Sequence, residues 1–163
     1  MRILLFGNPN AGKSVVFNRL TGVAVLSANY PGTTVEFTRG RTRIGNTFVE
    51  VIDVPGTYSL DPTSKAEEVA TAFLASAEPE DIVVNVVDAT NLERALGLTL
   101  QLARSRQKMV VALNFWDEVV ARGITIDVEK LSRILGVPCV PLVAITGDGI
   151  GRLMEALPRA TAS

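Results

Sequence analysis

The residues with the clearest chemistry in this chain lie close to its start. The segment reads Gly7-Asn8-Pro9-Asn10-Ala11-Gly12-Lys13-Ser14, which fits the pattern of a glycine, four free positions and then Gly-Lys-Ser/Thr. In such a turn the backbone N–H groups converge on a phosphate, and the positive end of the following helix dipole adds to the attraction. Lys13 would reach the terminal phosphates, and the Ser14 hydroxyl would bind Mg²⁺. The segment predicts a phosphate-binding loop, although an ordinary strand-to-helix turn fits the same pattern.

Two later segments could complete a site for magnesium and the terminal phosphate. In Asp53-Val54-Pro55-Gly56-Thr57, Asp53 could hold Mg²⁺ through water and the Gly56 N–H could bond the phosphate. In Asn29-Tyr30-Pro31-Gly32-Thr33-Thr34, a threonine hydroxyl could bind Mg²⁺ only while the terminal phosphate is present, so this segment would be a switch. Both segments are also typical of plain turns. Their order after the phosphate loop favours the functional interpretation.

A fourth segment, Asn114-Phe115-Trp116-Asp117, predicts which base is recognised. An ionised Asp117 accepts two hydrogen bonds, which suits the adjacent N–H donors on the edge of guanine. Adenine presents a lone pair there, so a buried carboxylate would be left unpaired against it. Asn114 and Asp117 could instead cap a helix. The run Val143-Ala144-Ile145 carries a weaker signal, because Ala144 is expected to use only its backbone N–H, on the guanine carbonyl.

The residue at position 57 bears on hydrolysis. Many GTP-hydrolysing switches carry a glutamine directly after the glycine of the second motif, and this glutamine orients the attacking water. This chain carries Thr57 instead. Either turnover is slow, or backbone groups and a second cation supply the missing positioning. Asn10 is the candidate ligand for such a cation, with a turn-stabilising side chain as the alternative.

These motifs need elements that bring them together, and the chain alternates short β-rich runs with helical segments. The alternation is typical of an α/β domain with a mostly parallel sheet and helices on both faces. A hairpin turn at Ile44–Asn46 predicts one antiparallel edge strand in a sheet of six. Ser64–Glu67 and Thr90–Glu93 predict capping boxes that open two helices. The predicted strands cover 2–7, 35–39, 48–52, 81–88, 109–113 and 137–143, and the predicted helices include 13–20, 128–135 and 150–157.

Composition limits the class of protein. The 163 residues are 47% hydrophobic and 20% charged, which predicts one ordinary domain with a substantial core. With 16 basic and 17 acidic residues, no positive excess favours nucleic acid or anionic lipid as a partner. The lack of histidine excludes His-dependent triads and zinc sites, and Cys139 is alone, so no intrachain disulfide can form. No apolar run approaches the ~20 residues of a membrane helix, so we expect no membrane insertion of this chain.

Taken together, several segments resemble the G domain of the bacterial ferrous iron transport protein B family, FeoB. They are the phosphate loop and the segments Asn29–Glu36, Asp53–Leu60 and Val87–Arg94. The resemblance covers about residues 2–157. It implies a Ras-like P-loop GTPase fold and GTP hydrolysis at the cytoplasmic face of the inner membrane, linked to Fe²⁺ uptake by a membrane-embedded transport domain. It also implies that Ser14 and Thr34 are ligands of Mg²⁺.

A potassium site follows from the same resemblance. In potassium-stimulated members, Asn10 and the backbone carbonyls of Ala28 and Tyr30 would hold K⁺ near the phosphates, in place of an arginine finger. The residues predicted to act in catalysis are Asn10, Lys13, Thr34 and Gly56. The residues predicted to bind the nucleotide and its Mg²⁺ are Gly7, Asn8, Pro9, Asn10, Ala11, Gly12, Lys13, Ser14, Val15, Thr33, Thr34, Asp53, Gly56, Asn114, Asp117, Val143, Ala144 and Ile145.

The chain departs from the family's pattern at two points. Bulky aromatic residues stand between Asn114 and Asp117, and the family's helical regulatory and membrane domains are not in this sequence. We assign residues 1–158 to the GTP-binding domain and 159–163 to a linker-like tail. Two other functions fit the motifs: a nucleotide-sensing module that gates a membrane partner with incidental hydrolysis, and a GTPase of RNA modification or ribosome assembly. The near-neutral charge argues against the second.

Overall fold

In the part of the chain that the structure describes, seven strands form a single sheet and six α-helices pack around it. The computed structural model describes residues 1–22 and 25–163. Short 3-10 turns lie at Ala89–Asn91 and Leu157–Arg159. The strands are β1 Arg2–Gly7, β2 Leu26–Asn29, β3 Glu36–Ile44, β4 Thr47–Asp53, β5 Ile82–Asp88, β6 Lys108–Asn114 and β7 Cys139–Pro141. The helices are α1 Lys13–Thr21, α2 Lys65–Ala75, α3 Leu92–Arg104, α4 Trp116–Ala121, α5 Val128–Leu135 and α6 Ile150–Ala156.

The order of strands across the sheet is β2-β3-β4-β1-β5-β6-β7. β4, β1, β5, β6 and β7 pair in parallel, whereas β3 is antiparallel to both of its neighbours. The α/β fold with a mostly parallel sheet is therefore confirmed, and so is the hairpin between β3 and β4. The predicted strand count was wrong, because β2 adds a seventh strand and moves β3 away from the edge. β2 has only four, mostly exposed residues, so no apolar pattern marks it in the sequence.

The central strands supply two separate hydrophobic cores, one on each face of the sheet. Successive side chains of a strand point to opposite faces, so a strand covered on both faces is apolar throughout. In β1, Ile3 and Leu5 pack with residues of α1 and α6, whereas Leu4 and Phe6 pack with residues of α2, α3, α4 and α5. All four side chains are at most 1% exposed. The double burial holds β1 rigidly at the centre of the sheet.

The two predicted capping boxes differ in outcome. Ser64 accepts a bond from the Glu67 N–H at the start of α2, as its capping box predicted. The capping box predicted at Thr90 was wrong. Asp88 Oδ1 instead accepts both the N–H and the hydroxyl of Thr90, at 2.9 and 2.6 Å. The carboxylate at the end of β5 thus competes for the Thr90 hydroxyl and closes a 3-10 turn before α3.

The last strand and the tail differ from the predicted pattern. The strand predicted over 137–143 is confined to Cys139–Pro141, since prolines at 138 and 141 cannot donate to a ladder. The tail returns to the sheet, where the Met109 N–H donates to Thr161 O at 3.0 Å. Thr161 Oγ1 also donates to Gly136 O at 2.8 Å. Among the helices of the described residues, none is long and apolar enough to cross a membrane.

A buried carboxylate fastens the amino end of β1 to the loop before β5. Asp81, whose side chain is 2% exposed, accepts hydrogen bonds from the Arg2 N–H, from the Arg2 guanidinium and from the Glu78 N–H. Burial opposes ionisation of this carboxyl, but the bonds from Arg2 and Glu78 outweigh it, so the pKa of Asp81 is lowered. Its contribution to stability is therefore complete above the unfolded-state pKa and is lost as the pH falls through the lower folded-state pKa.

We expect Asp81→Asn to lower the free energy of unfolding at neutral pH by about 2–3 kcal/mol, because an amide cannot satisfy these donors as an anion does. Urea denaturation at several pH values measures the effect. Below about pH 4 the wild-type and variant curves should converge, since protonation removes the same charge. Glu80→Gln, a change at an exposed neighbouring carboxylate, is the matched control. A constant difference between Asp81→Asn and wild type down to low pH would contradict this role of the carboxylate.

Candidate nucleotide-binding site

The predicted phosphate loop joins the carboxyl end of β1 to the start of α1. β1 is the middle strand of the sheet, so the loop lies among the carboxyl ends of the parallel strands. Two glycines of this loop are required by close packing. A Cβ atom on Gly7 would lie 2.6 Å from Val86 O, and a Cβ on Gly12 would lie 2.1 Å from Asn114 Nδ2. Gly12 also has φ 86°, in the left-handed region that favours glycine. The loop therefore needs both glycines to lie this close to β5 and to the end of β6.

A cation, a hydroxyl and a carboxylate meet beside this loop. Lys13 Nζ forms an ion pair with Asp53 Oδ1, and Ser14 Oγ donates to Asp53 Oδ2 at 3.1 Å. Lys13 and Asp53 are each 8% exposed. The parallel pairing of β1 with β4 sets Leu5 opposite Asp53, which places the second motif next to the first. The cleft above them has a volume of about 370 Å³ and is lined by Asn8, Pro9, Asn10, Gly12, Lys13, Ser14, Val15 and Gly56.

Gly56 and Thr57 continue the second motif along the phosphate loop. A Cβ on Gly56 would lie 3.4 Å from the N and Cα atoms of Pro9, so there is little room for a side chain between the two segments. The Thr57 N–H donates to Gly7 O at 3.1 Å. The Thr57 side chain is 3% exposed, and its hydroxyl has no hydrogen-bond partner within residues 1–22 and 25–163. The residue that replaces the expected glutamine is thus packed inside the fold.

The switch segment lies apart from the phosphate loop in this structure. Ala28 is in β2, opposite Phe37 of β3. The Tyr30 carbonyl accepts hydrogen bonds from the N–H and the hydroxyl of Thr33, at 3.0 and 2.9 Å. Thr34 is exposed and lines a separate recess with Gly32, Thr33 and Lys65. Within the described residues, no hydrogen bond joins Thr34, Ala28 or Tyr30 to Lys13 or Ser14, and Thr34 does not line the cleft beside them.

Three aromatic rings hold the switch segment in this position. Tyr30 and Phe37 both pack edge to face against Phe73 of α2, with ring centroids 5.1 and 5.0 Å apart respectively. Tyr30 and Phe37 also contact each other, at 6.5 Å. The Tyr30 N–H donates to Val35 O at 2.8 Å and closes the turn. Such aromatic pairs each stabilise by about 0.5–1.5 kcal/mol beyond their buried area.

The buried side chain of Asn114 joins the phosphate loop to the loop that follows β7. Its Nδ2 donates to Ala11 O in the phosphate loop at 3.0 Å, and its Oδ1 accepts from the Ala144 N–H at 3.0 Å. Asn114 is 2% exposed and ends β6. The next residue, Phe115, has φ 61° and turns the chain into α4, where Asp117 is exposed in the first turn. Phosphate loop and base-recognition motif are thus one connected unit.

The role predicted for the Ala144 N–H does not fit this geometry. That N–H is already given to Asn114 Oδ1, so it is not directed toward a base. Val143 is also occupied, since its N–H donates to Asp148 O at 2.8 Å. The Ile145 N–H forms no hydrogen bond within the described part of the chain, and Ile145 is 75% exposed. The free donor of this loop is therefore one residue further along than predicted.

Sequence reasoning missed Arg19, which also contacts this loop. Its Nε donates to Ala144 O at 2.9 Å, and its Nη2 donates to Ile145 O. In the sequence Arg19 is only a basic residue in the last turn of α1, where any lysine or arginine complements the helix dipole. No local signal indicates a partner 125 residues away.

The chain matches the family model described as ferrous iron transport protein B over residues 1–157. It is 46% identical over 157 residues to a fusion protein of Fe(2+) transport protein A and Fe(2+) transporter FeoB from Porphyromonas gingivalis, covering 96% of this chain and 19% of that protein. It is 43% identical over 167 aligned positions to the Fe(2+) transporter FeoB of Salmonella typhimurium, covering 100% of this chain and 22% of that protein. The chain thus spans about a fifth of the length of these relatives.

Three solved structures illustrate how closely this fold matches known ones. The cytosolic domain of L. pneumophila FeoB superposes with a TM-score of 0.94 at 39% identity, covering 100% of this chain and 65% of that one. An E67A mutant of NFeoB from S. thermophilus, bound to GDP, gives 0.91 at 40% identity, with 99% and 63% covered. The cytosolic domain of T. maritima FeoB in its GMPPNP form gives 0.91 at 35% identity, with 98% and 63% covered.

The family match spans nearly the whole chain and agrees with the fold and with the arrangement of the phosphate loop. The likeness in sequence is well above the level at which only a fold is shared. This chain belongs to the ferrous iron transport protein B family.

Proposed function

We propose that this chain is the GTP-binding and GTP-hydrolysing domain of a ferrous iron transporter. The observation that carries the proposal is the double hydrogen bond of Asn114, which joins a phosphate loop to a loop with a free backbone donor. Relatives of this fold are described as bound to GDP or as a GMPPNP form. The domain would act at the cytoplasmic face of the bacterial inner membrane, with the membrane-embedded transport domain as its partner.

Guanine would be read from two sides. The Asp117 carboxylate, exposed beside the end of β6, would accept the two N–H groups on one edge of the base. The Ile145 N–H would donate to the 6-oxygen, since it has no other partner within the described residues. An adenine base would set its amino group against this donor and a lone pair against the carboxylate, and unpaired polar groups of this kind discriminate strongly.

Lys13 and the phosphate-loop amides would stabilise hydrolysis. Water attacks the γ-phosphate in line, the bond to the β-phosphate oxygen breaks, and GDP and phosphate leave. Negative charge moves onto the leaving oxygen, which Lys13 and the backbone N–H groups of the loop would face. Lys13 is now paired with Asp53, so a bound phosphate would compete for the lysine. The Gly56 N–H, from a residue that lines the same cleft, would bond the γ-phosphate.

The residues of the cleft fit Mg²⁺. Hydroxyl and carboxylate oxygens are the ligands that this ion prefers, and Ser14 Oγ and Asp53 Oδ2 already lie 3.1 Å apart. Ser14 would bind the ion directly and Asp53 through water, with Thr34 joining from the switch segment. When bound, the ion would neutralise charge on the β- and γ-phosphate oxygens. For Thr34 to reach the ion, the contacts of Tyr30 and Phe37 with Phe73 must rearrange.

A potassium site would depend on the same movement. Asn10 is exposed and lines the cleft, so its side-chain oxygen is available to a cation there. Its backbone is in the left-handed region, with φ 67°. The carbonyls of Ala28 and Tyr30 would complete the site only after β2 and the Tyr30–Thr33 bonds open. A bound K⁺ would supply positive charge next to the phosphates, where this family would otherwise need an arginine finger.

The buried position of Thr57 favours a second function for the same site, that of a nucleotide-sensing module. Thr57 cannot orient a water from an exposed position as a glutamine does. The packing of Tyr30 on Phe73 holds the switch segment in its present position without a ligand. A segment that takes two positions, according to the γ-phosphate, could gate the membrane partner whatever the rate of turnover.

Calorimetric titration tests the choice of base. We expect GTP and GDP to bind and ATP to bind at least about 100-fold more weakly, because adenine leaves Asp117 unpaired. Asp117→Asn should weaken the binding of GDP and strengthen the binding of the xanthine nucleotide, whose 2-oxygen can accept a hydrogen bond from an amide. Glu118→Gln, at the exposed neighbouring position, is the matched control. An ATP preference would overturn the assignment of Asp117.

Turnover in different salts tests the potassium site. Phosphate release from GTP should be at least about tenfold faster in KCl than in NaCl at equal ionic strength, which corresponds to about 1.4 kcal/mol of barrier. Asn10→Ala should abolish this difference, whereas Asn18→Ala, an exposed asparagine on α1, should keep it. Equal rates in the two salts, or a potassium response that survives Asn10→Ala, would remove K⁺ from the proposal.

A further inference from the structure

The guanidinium of Arg19 donates hydrogen bonds to two consecutive backbone carbonyls of the loop that follows β7. Nε donates to Ala144 O at 2.9 Å and Nη2 donates to Ile145 O. We propose that Arg19 is a positioning residue that aims the Ile145 N–H at the 6-oxygen of guanine. The inference rests on the proposed function, because it concerns how the same base is recognised.

The planarity of the peptide bond couples the direction of a carbonyl to that of the next N–H. The Ala144 carbonyl and the Ile145 N–H belong to one peptide unit, and the described chain contains no cis peptide bond. In a trans unit the C=O and the N–H point in opposite directions. Fixing the carbonyl on Arg19 therefore fixes the direction of the N–H on the other side of the loop.

Asn114 and Arg19 hold the two neighbouring peptide units of Ala144. The Ala144 N–H is bound to Asn114 Oδ1, and the Ala144 carbonyl is bound to Arg19. Gly147, which has φ 86°, returns the loop across the guanidinium, and a Cβ there would lie 3.4 Å from Arg19 Nη1. Both the N–H and the carbonyl of Ala144, the residue before Ile145, are thus bonded to side chains of other elements. Ile145 itself is 75% exposed, so its side chain contributes little to this order.

The chemistry of guanine selects the atom that this donor serves. The edge of the base that faces Asp117 presents two N–H groups, which only an acceptor can bind. The acceptor directly beside these N–H groups is the 6-oxygen, and an N–H donor in the loop after β7 can bind it. Arginine suits the task because its rigid fork binds two acceptors at once, whereas a lysine ammonium is a flexible point charge.

The test compares three diphosphates on four proteins by titration calorimetry. GDP and IDP both carry the 6-oxygen, and IDP lacks the 2-amino group. The 2-aminopurine riboside diphosphate lacks the 6-oxygen. The proteins are wild type, Arg19→Ala, Arg19→Lys and Arg152→Ala. The last is the matched control, because Arg152 is an exposed arginine with a single long bond of 3.5 Å to another backbone carbonyl, Pro141 O.

Arg19→Ala should raise the Kd of GDP and of IDP alike, by roughly fivefold, which is typical of one weakened hydrogen bond. It should leave the Kd of the 2-aminopurine analogue within about twofold of wild type, because that base has no 6-oxygen to lose. Arg19→Lys should lie between wild type and Arg19→Ala, and Arg152→Ala should match wild type. Thermal denaturation of each variant without nucleotide confirms that the fold is retained.

Two results would overturn the role of Arg19 while leaving guanine recognition in place. One is an equal loss of affinity for all three ligands, which would indicate a general effect on α1 or the phosphate loop. The other is unchanged binding of GDP by both Arg19 variants. If wild type itself fails to bind GDP, the proposed function fails, and this result is distinct from either of the others.

Discussion

Asn114 lies at the carboxyl end of β6 with both ends of its side-chain amide bonded, one to the phosphate loop and one to the loop after β7. The side chain is almost fully buried, so loss of either bond would leave a polar group without water or partner. It also lies so close to Gly12 that no side chain fits between them. The distance between the phosphate loop and the loop after β7 is therefore set by one buried side chain. Arg19 extends the same constraint to Ile145.

The cleft and the switch segment differ in how firmly they are held. Phosphate loop, Asp53 and Asn114 are tied to strands covered on both faces, so they form a preorganised site. The switch segment is held by a short edge strand and by the packing of Tyr30 and Phe37 on Phe73. A few aromatic contacts and hydrogen bonds can be exchanged for bonds to a ligand at modest free energy. A firmly held cleft beside a weakly held switch segment suits a domain in which nucleotide binding changes the position of that one segment.

The pattern of apolar residues predicted the central strands well, because burial on both faces leaves few polar positions in β1, β5 and β6. Asp127 and Gly136 likewise mark the ends of α5 as predicted, since both act on their own backbone. The pattern did not predict β2, whose pairing with β3 uses backbone groups only. Nor did it place Thr90 correctly, because the nearby Asp88 carboxylate takes its hydroxyl.

The sequence by itself determined the family and the phosphate loop, and it predicted Asp117 as the residue that recognises guanine, because these depend on short motifs whose backbone geometry is local. Only the tertiary structure decided which groups are already occupied. Ala144 gives its N–H to Asn114, Lys13 pairs with Asp53, and Tyr30 gives its carbonyl to Thr33. The hydrogen bond from Arg19 to the Ala144 carbonyl joins residues 125 positions apart. Such partnerships follow from sheet register and helix packing, which bring distant segments together in ways that no local spacing encodes.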